Sequence, residues 1–308
     1  MKVCFVGIGS IATRHIYNLI ELVPDVHIDA LHHEKKNNSD VKGSNQNIYN
    51  HYYDAADLPN DYDVIFITNP TVRHYDTLLS VHDKAKHFFI EKPVFFTGDE
   101  NIELLKQREG SVYYVACPLR YTQILQTIKN EIDFANIYSM RCISSSYLPD
   151  WRPGIDYRGN YSAKKELGGG VELDLIHEWD YITWLIGMPK CVKSIVSHKS
   201  VLEIDSNDIA LYIAEYENHT VEIHLDYFGR QTIRKLELFG KNDFIDVDLI
   251  NNSIEWSNSK RVIKFNEARD DYQSTELKEF LEIIRGNRKN GNDIKHAYDV
   301  LRIARGIR

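Results

Sequence analysis

The sequence predicts an α/β protein: an N-terminal domain of strands alternating with helices, then a second α/β domain built on a mostly antiparallel open sheet. Three observations carry this. Apolar runs and helical patterns alternate over residues 1–119, and a glycine-rich turn joins the first strand to the first helix. Beyond residue 137 the pattern changes to longer runs in which polar and apolar residues alternate. A chain of 308 residues exceeds one ordinary core, so we expect two domains, 1–119 and 120–308, with the last helix able to pack back on the first domain.

Composition narrows the class of partner. Hydrophobic residues make up 43% and charged residues 27%, the balance of a globular protein, and the net charge of -8 argues against nucleic-acid or membrane surfaces, both of which want basic residues. No apolar run approaches the ~18 residues needed to cross a bilayer, and the N-terminus begins as a strand without the apolar core of a signal peptide. Cys4, Cys117, Cys142 and Cys191 are widely spaced and form no C-x-x-C pair. That fits a reduced, cytoplasmic protein and neither a disulfide framework nor a zinc site.

Residues 2–7 form a short apolar strand that runs into Gly7-Ile8-Gly9-Ser10-Ile11-Ala12, and a helix over residues 10–22 follows. Gly7 permits the tight turn, Gly9 lets a pyrophosphate approach the backbone, and Ala12 lets helix and strand pack closely. The helix N-terminus offers free N–H groups and a partial positive charge to phosphate. In this context the motif predicts a dinucleotide site and a Rossmann domain. The second strand, residues 26–32, ends in His32-His33-Glu34-Lys35-Lys36. An acid ~20 positions past the glycines binds the ribose 2′-hydroxyl of NAD. Glu34 suits that role beside His33, while Lys35 and Lys36 equally suit the 2′-phosphate of NADP. The preference between NAD and NADP stays open.

Residues 37–50 are polar and loop-like. The strand over residues 63–68 ends in Thr68-Asn69-Pro70, on the crevice edge of a doubly wound sheet, and a helix over residues 72–82 carries His74 early. His74 either approaches the nicotinamide or packs on the turn. Phe88-Phe89-Ile90 is the end of a buried strand, and Glu91-Lys92-Pro93 follows it. An ammonium at the exit of a buried strand needs a cleft or a counter-charge, and the proline biases Lys92 toward an extended backbone. We expect a helix over residues 99–106, a strand over residues 112–117 and a helix opening at Pro118, with Arg120 near its start.

In the second half, a strand over residues 137–146 leads into an irregular stretch with Tyr147, Trp151, Tyr157 and Tyr161 interleaved with Arg152, Arg158, Lys164 and Lys165. Aromatic faces suit sugar rings and guanidinium forks suit phosphate or carboxylate; an arm packing on a second subunit uses the same residue types. Gly168-Gly169-Gly170 then opens a predicted helix to residue 186 carrying Asp174, His177, Glu178 and Asp180. Residues three apart share a helix face, which makes His177 a candidate proton shuttle flanked by carboxylates. His-Glu-x-x-Asp lacks a second histidine, so no metal is expected. Strands such as residues 221–227 and 231–239 follow, then helices over residues 272–285 and 294–308.

Taken together, Gly7-Ile8-Gly9-Ser10-Ile11-Ala12, Thr68-Asn69-Pro70, Glu91-Lys92-Pro93 and the glycine triplet followed by Asp174, His177 and Asp180 resemble the Gfo/Idh/MocA oxidoreductase family over nearly the whole chain. The resemblance implies an NAD(P) domain, with Gly7, Gly9, Ser10, Ile11, Ala12, His33, Glu34, Thr68, Asn69, Pro70, His74, Glu91 and Lys92 at the cofactor. It implies hydride transfer to or from a hydroxyl or carbonyl carbon of a sugar, sugar derivative or polyol. Lys92 and His177 are the implied catalytic pair, with Asp174 beside them, and the substrate is expected against Arg120, Trp151, Arg152, Tyr161, Asp174 and His177. The basic and aromatic loop points to an anionic substrate, and the open sheet to a homodimer or homotetramer. Asp174 and His177 are three apart where many members have four, which leaves the role of Asp174 open. The rival readings are glycosidic cleavage through transient oxidation by a tightly held NAD, and a non-catalytic dinucleotide-binding sensor or scaffold.

Overall fold

The computed structural model describes residues 1–33 and 47–307. Glu34, Lys35 and Lys36 therefore lie outside the described residues. The chain forms two compact units, Met1–Ala116 with Gln273–Tyr298, and Cys117–Tyr272 with Asp299–Arg308. The first crossing thus falls at 116/117, and much of the two C-terminal helices returns to the first unit.

In chain order the elements begin with β1 (Lys2–Val6), α1 (Ser10–Leu22), β2 (His27–Leu31), β3 (Asn50–Tyr52), β4 (Tyr62–Ile67), α2 (His74–Val81), β5 (Ala85–Ile90) and β6 (Tyr113–Val115). There follow α3 (Gln123–Glu131), β7 (Ile137–Tyr147), α4 (Val171–Asp174), α5 (His177–Ile186), β8 (Cys191–Ser197), β9 (Ile209–Glu215) and β10 (Thr220–Asp226). The chain closes with β11 (Phe228–Gly240), β12 (Phe244–Asp248), β13 (Ser253–Trp256), β14 (Val262–Lys264), α6 (Arg269–Ile284) and α7 (Ile294–Ala304).

The first sheet has strand order β3-β2-β1-β4-β5-β6 with every pair parallel, the doubly wound arrangement the sequence predicts. Its central strands are buried on both faces, which is why they read as continuous apolar runs. Phe5 stacks on Phe66 at 4.4 Å between ring centroids, and Phe280 of α6 sets its ring edge against Phe89 at 5.2 Å. Each such ring removed from water is worth about 1.5–3 kcal/mol, so α6 is held by the same core as the sheet. Two expected helices are shorter than the sequence suggests. Thr71–Arg73 is a 3-10 turn ahead of α2, and the helix expected over residues 99–106 is only the 3-10 turn Ile102–Leu105. The Asn101 side chain starts that turn by accepting from Glu103 N, and Lys106 stops it in the left-handed region at φ 43°.

The second unit is an eight-stranded sheet of order β14-β13-β12-β11-β7-β10-β9-β8, antiparallel except for β7 with β10. Period-two patterning is plain in β9 and β10, where Ala210, Tyr212, Ala214, Val221, Ile223 and Leu225 are buried. The expected continuous helix after the glycine triplet is instead two, α4 and α5. Ile176 N bonds to Leu173 O, three residues back, so the four-residue ladder is interrupted at Leu175 and Ile176. Asp174 closes one helix and His177 opens the next.

Candidate active site

In the first unit, the C-terminal ends of β1, β2 and β4 frame a cleft of about 390 Å³ lined by Gly7, His32, His33, Asp54, Asn69, Pro70 and Arg73, among others. Gly7 sits at φ +85°, and a Cβ there would lie 2.7 Å from Asn69 Cα, so only glycine allows β1 to turn this close to the loop after β4. At Gly9 a Cβ would meet nothing within 4 Å, which leaves the approach to the start of α1 open. No side chain caps that helix and no acidic residue stands in its first turn, so the amides around Ser10 and Ile11 remain available to an anion. Ala12 is fully buried, as close packing requires. Thr68 Oγ1 donates to Gly7 O at 2.8 Å, and Asn69 Nδ2 donates to Thr77 Oγ1 at 2.7 Å. Asn69 Oδ1 is a buried acceptor with no partner among the described residues. The open approach at Gly9 and the uncapped start of α1 fit a dinucleotide.

Glu91 and His74 brace the neighbouring loop. His15 Nε2 of α1 lies 2.6 Å from Glu91 Oε1, and Lys92 N donates to Glu91 Oε2 at 3.2 Å. Burial alone would push the Glu91 carboxyl up, but the His15 hydrogen bond and nearby positive charge outweigh it and hold the group below the usual carboxylate range. His74 is buried, with Nε2 against Asn69 O and Nδ1 against Pro93 O, both at 2.9 Å. Burial pulls this imidazole toward its neutral form, opposed by those carbonyls and by Glu91. Both ring nitrogens of His74 thus meet backbone carbonyls of the two crevice loops. Lys92 leaves β5 into this braced loop, followed by a cis peptide to Pro93.

In the second unit, Asp174 accepts from two tyrosines, Tyr161 Oη at 2.6 Å and Tyr227 Oη at 2.5 Å. The Asp174 charge, with burial, pushes the Tyr161 hydroxyl well up; burial, then Asp174, does the same at Tyr227, so both stay protonated donors. The Trp151 ring meets Tyr227 edge-on at 5.3 Å, and Arg152 Nη1 donates to Asn160 Oδ1 at 3.0 Å with the side chain otherwise exposed. These contacts gather Trp151, Tyr161 and Asp174 around the start of α5, where His177 sits. Arg120, expected at the substrate, is placed differently. It is 3% exposed and forks onto Asp180 at 2.9 and 2.7 Å, because a buried guanidinium needs a carboxylate partner. Glu178 is likewise taken up, accepting from Arg234 Nε of β11 at 2.6 Å.

Several of these residues escape a reading of the sequence. His15 lies on the buried face of α1 with Ala12, Ile16 and Leu19, where spacing gives it away as inward but not its partner. Arg73 lines the cleft at the ends of β1, β2 and β4, exposed and without an ion pair among the described residues. Tyr227 and Arg230, the latter 3.7 Å above the Tyr147 ring, lie where the chain crosses from β10 to β11 on either side of β7, which only the fold brings to Asp174 and Trp151.

Comparison with known proteins agrees with this geometry. Residues 1–116 match the NAD-binding Rossmann fold of the Gfo/Idh/MocA oxidoreductase family, and residues 151–308 match that family's C-terminal α/β domain. An uncharacterized oxidoreductase of Bacillus subtilis (strain 168), YrbE, is 26% identical over 330 residues, 97% of this chain and 92% of that protein. The D-xylose dehydrogenase of Paenarthrobacter nicotinovorans is 29% identical over 138 residues, 43% of this chain and 35% of that enzyme. A solved levoglucosan dehydrogenase in complex with NADH superposes with a TM-score of 0.84 at 16% identity, covering 100% of this chain and 95% of that one. With both domains matched and the glycine turn open at Gly9, the chain belongs to the Gfo/Idh/MocA family of NAD-binding oxidoreductases.

Proposed function

We propose that this protein is an NAD(P)-dependent dehydrogenase or reductase of a sugar, sugar derivative or polyol, with Lys92 and His177 as its catalytic residues. The observation that carries the proposal is the bracing of Lys92: a lysine delivered at the C-terminal edge of a parallel sheet by a loop tied to α1 through His15 and to α2 through His74, whose other ring nitrogen meets Asn69 of the cleft. The named sugar dehydrogenases among the relatives support the substrate class.

When bound, the nicotinamide supplies the hydride acceptor or donor. In the oxidation direction the His177 imidazole takes the hydroxyl proton as the carbon loses its hydride, and returns it in reduction. The Lys92 ammonium donates to the same oxygen and stabilises alkoxide charge as it develops. Asp174, its oxygens bonded to Tyr161 and Tyr227, fixes the chain entering α5 and so the position of His177. Ser10 and Ile11 amides hold the pyrophosphate, and Thr68 and Asn69 shape the cleft wall. Trp151 offers a face to a sugar ring, and Arg152 and Arg230 favour an anionic one.

Assembly through the second sheet is part of the proposal. Ile195 and Ile213 are 58% and 57% exposed on the face opposite Ala210 and Tyr212, an apolar surface that a second copy would cover. All four cysteines are free, which suits a cytoplasmic setting, and among the described residues no helix is long and apolar enough to cross a membrane.

The test is reduced-nicotinamide absorbance with NAD⁺ and NADP⁺ over a panel of D-xylose, levoglucosan, myo-inositol, D-glucuronate and UDP-N-acetylglucosamine. Turnover with at least one sugar, lost in Lys92→Ala, supports the proposal. Cleavage of a glycoside without net reduced cofactor favours the hydrolytic route, and cofactor binding with no turnover on any compound favours a sensor.

A further inference from the structure

We propose that His15 is a positioning residue for hydride transfer: from α1 it holds the Glu91 side chain, and through it the backbone of Lys92, in register with the helix that receives the cofactor's phosphates. The inference rests on the reading of Lys92 as a catalytic residue.

His15 is 1% exposed and its ring sits against Phe89 at 5.0 Å and Phe66 at 6.3 Å between centroids. A carboxylate oxygen only accepts, so the 2.6 Å contact puts the ring proton on Nε2, donated to Glu91 Oε1. The other nitrogen, Nδ1, is buried without a partner among the described residues, so Glu91 is the polar contact that orients the ring. The second Glu91 oxygen takes the Lys92 peptide N–H, and Glu91 N donates to Ile67 O of β4 at 2.9 Å. One residue further on, His74 of α2 bonds the Pro93 carbonyl. The lysine's backbone is thus tied to α1, α2 and β4 at once.

Stability alone does not account for such a pair. Well-packed apolar side chains of similar volume commonly equal or exceed a buried ionic or polar pair in stability. What the pair contributes that Leu or Phe would not is a directional link between two segments. Here the segments are the α1 helix, whose N-terminus is the phosphate site, and the residue immediately before the lysine. His15 is five residues past the start of α1, so a rigid helix carries the reference from one end to the other.

The experiment compares wild type, His15→Leu, His15→Gln and the double variant His15→Leu/Glu91→Leu. Each is measured for NADH affinity by fluorescence, for melting temperature, and for kcat and KM on whichever panel sugar the wild type turns over best. His15→Leu should lower kcat about tenfold, the scale of a displacement well under 1 Å at a reacting group, with NADH affinity and sugar KM unchanged. His15→Gln places an amide N–H near the position of Nε2 and should recover most of that loss. The double variant removes both buried polar groups, so it keeps the fold even if His15→Leu does not, and should show the same kcat loss. Wild-type kcat in the double variant, or a loss in His15→Leu that follows melting temperature and is not recovered by Gln, would overturn the inference. Lys92→Ala separates the two levels. Full turnover there removes the reading of the lysine itself, whereas lost turnover there with wild-type kcat in the His15 variants removes only the role of His15.

Discussion

Lys92 and His177 are held by different means in their two units. Lys92 follows a strand buried on both faces, and its loop is tied down by imidazoles arriving from two helices. His177 opens a helix, and its surroundings are fixed by carboxylates on that helix and the preceding one, each engaged by a residue from elsewhere in the unit: Asp174 by Tyr161 and Tyr227, Glu178 by Arg234, Asp180 by Arg120. In the first unit imidazole rings brace a loop; in the second, tyrosine hydroxyls and guanidinium groups brace a broken helix. The difference teaches where each half is vulnerable. The lysine loop depends on a short chain of contacts near the cofactor helix, while the histidine helix depends on buried ion pairs whose loss strands a charge.

The sharpest way to test that contrast is Arg120→Ala. It leaves the Asp180 carboxylate buried without its fork and should cost ~3–5 kcal/mol of stability in chemical denaturation. NADH affinity of the protein that remains folded should be unchanged, since the cleft proposed for the dinucleotide belongs to the other unit. Weaker NADH binding matching the stability loss would break the separation of the two halves.

Gly169→Ala should come next. Its Cβ would run into the backbone of Tyr161 and Ser162, so the loop carrying Tyr161 must shift, with a stability loss of about 1–3 kcal/mol or more. Gly9→Ala meets nothing in the protein and should leave melting unchanged while weakening NADH binding, which differential scanning fluorimetry with and without NADH would read out. Equal melting losses in both variants would contradict the reading of Gly9 as the open glycine.

How much of this is legible without a fold depends on where the partner lies. The glycine turn, the crevice strand ending in Thr68-Asn69-Pro70 and the lysine after a buried strand are local signals, and the structure keeps them. The carboxylates of α4 and α5 are legible as residues, but their partners are 13 to 60 positions away, and no periodicity links Arg120 to Asp180 or Tyr227 to Asp174. The break at Leu175 and Ile176 is silent for the same reason: the run from Val171 to Ile186 is apolar enough to read as one helix. The 3-10 turn at Ile102–Leu105 shows the opposite failure, a helix-like pattern stopped by one residue's backbone at Lys106.

A smaller effect sharpens the comparison further. Tyr227→Phe removes one of two donors to Asp174 and should cost about 1 kcal/mol, with kcat reduced and NADH affinity unchanged. The smallest expected effect is the pH dependence of the Glu91 brace. Its folded pKa lies below the unfolded value of ~4.3, so its contribution is fully present above that value and is lost as pH falls through the folded pKa. In His15→Leu the buried carboxyl faces Lys92 and His74 without its donor. Its folded pKa should then rise, and stability relative to wild type should fall as pH climbs from the wild-type folded pKa, below ~4.3, to the raised one. Parallel melting curves for the two proteins between pH 3 and 7 would show that His15 does not govern this carboxyl.

The most direct test of the central claim is steady-state turnover of Lys92→Ala and His177→Ala on a productive panel sugar, with NADH and NADPH fluorescence titrations of the same preparations. Turnover lower on the order of 10²-fold or more in each variant, with cofactor affinity as in wild type, is the predicted result. Wild-type turnover in both variants would contradict the assignment of Lys92 and His177 as the residues that do the chemistry.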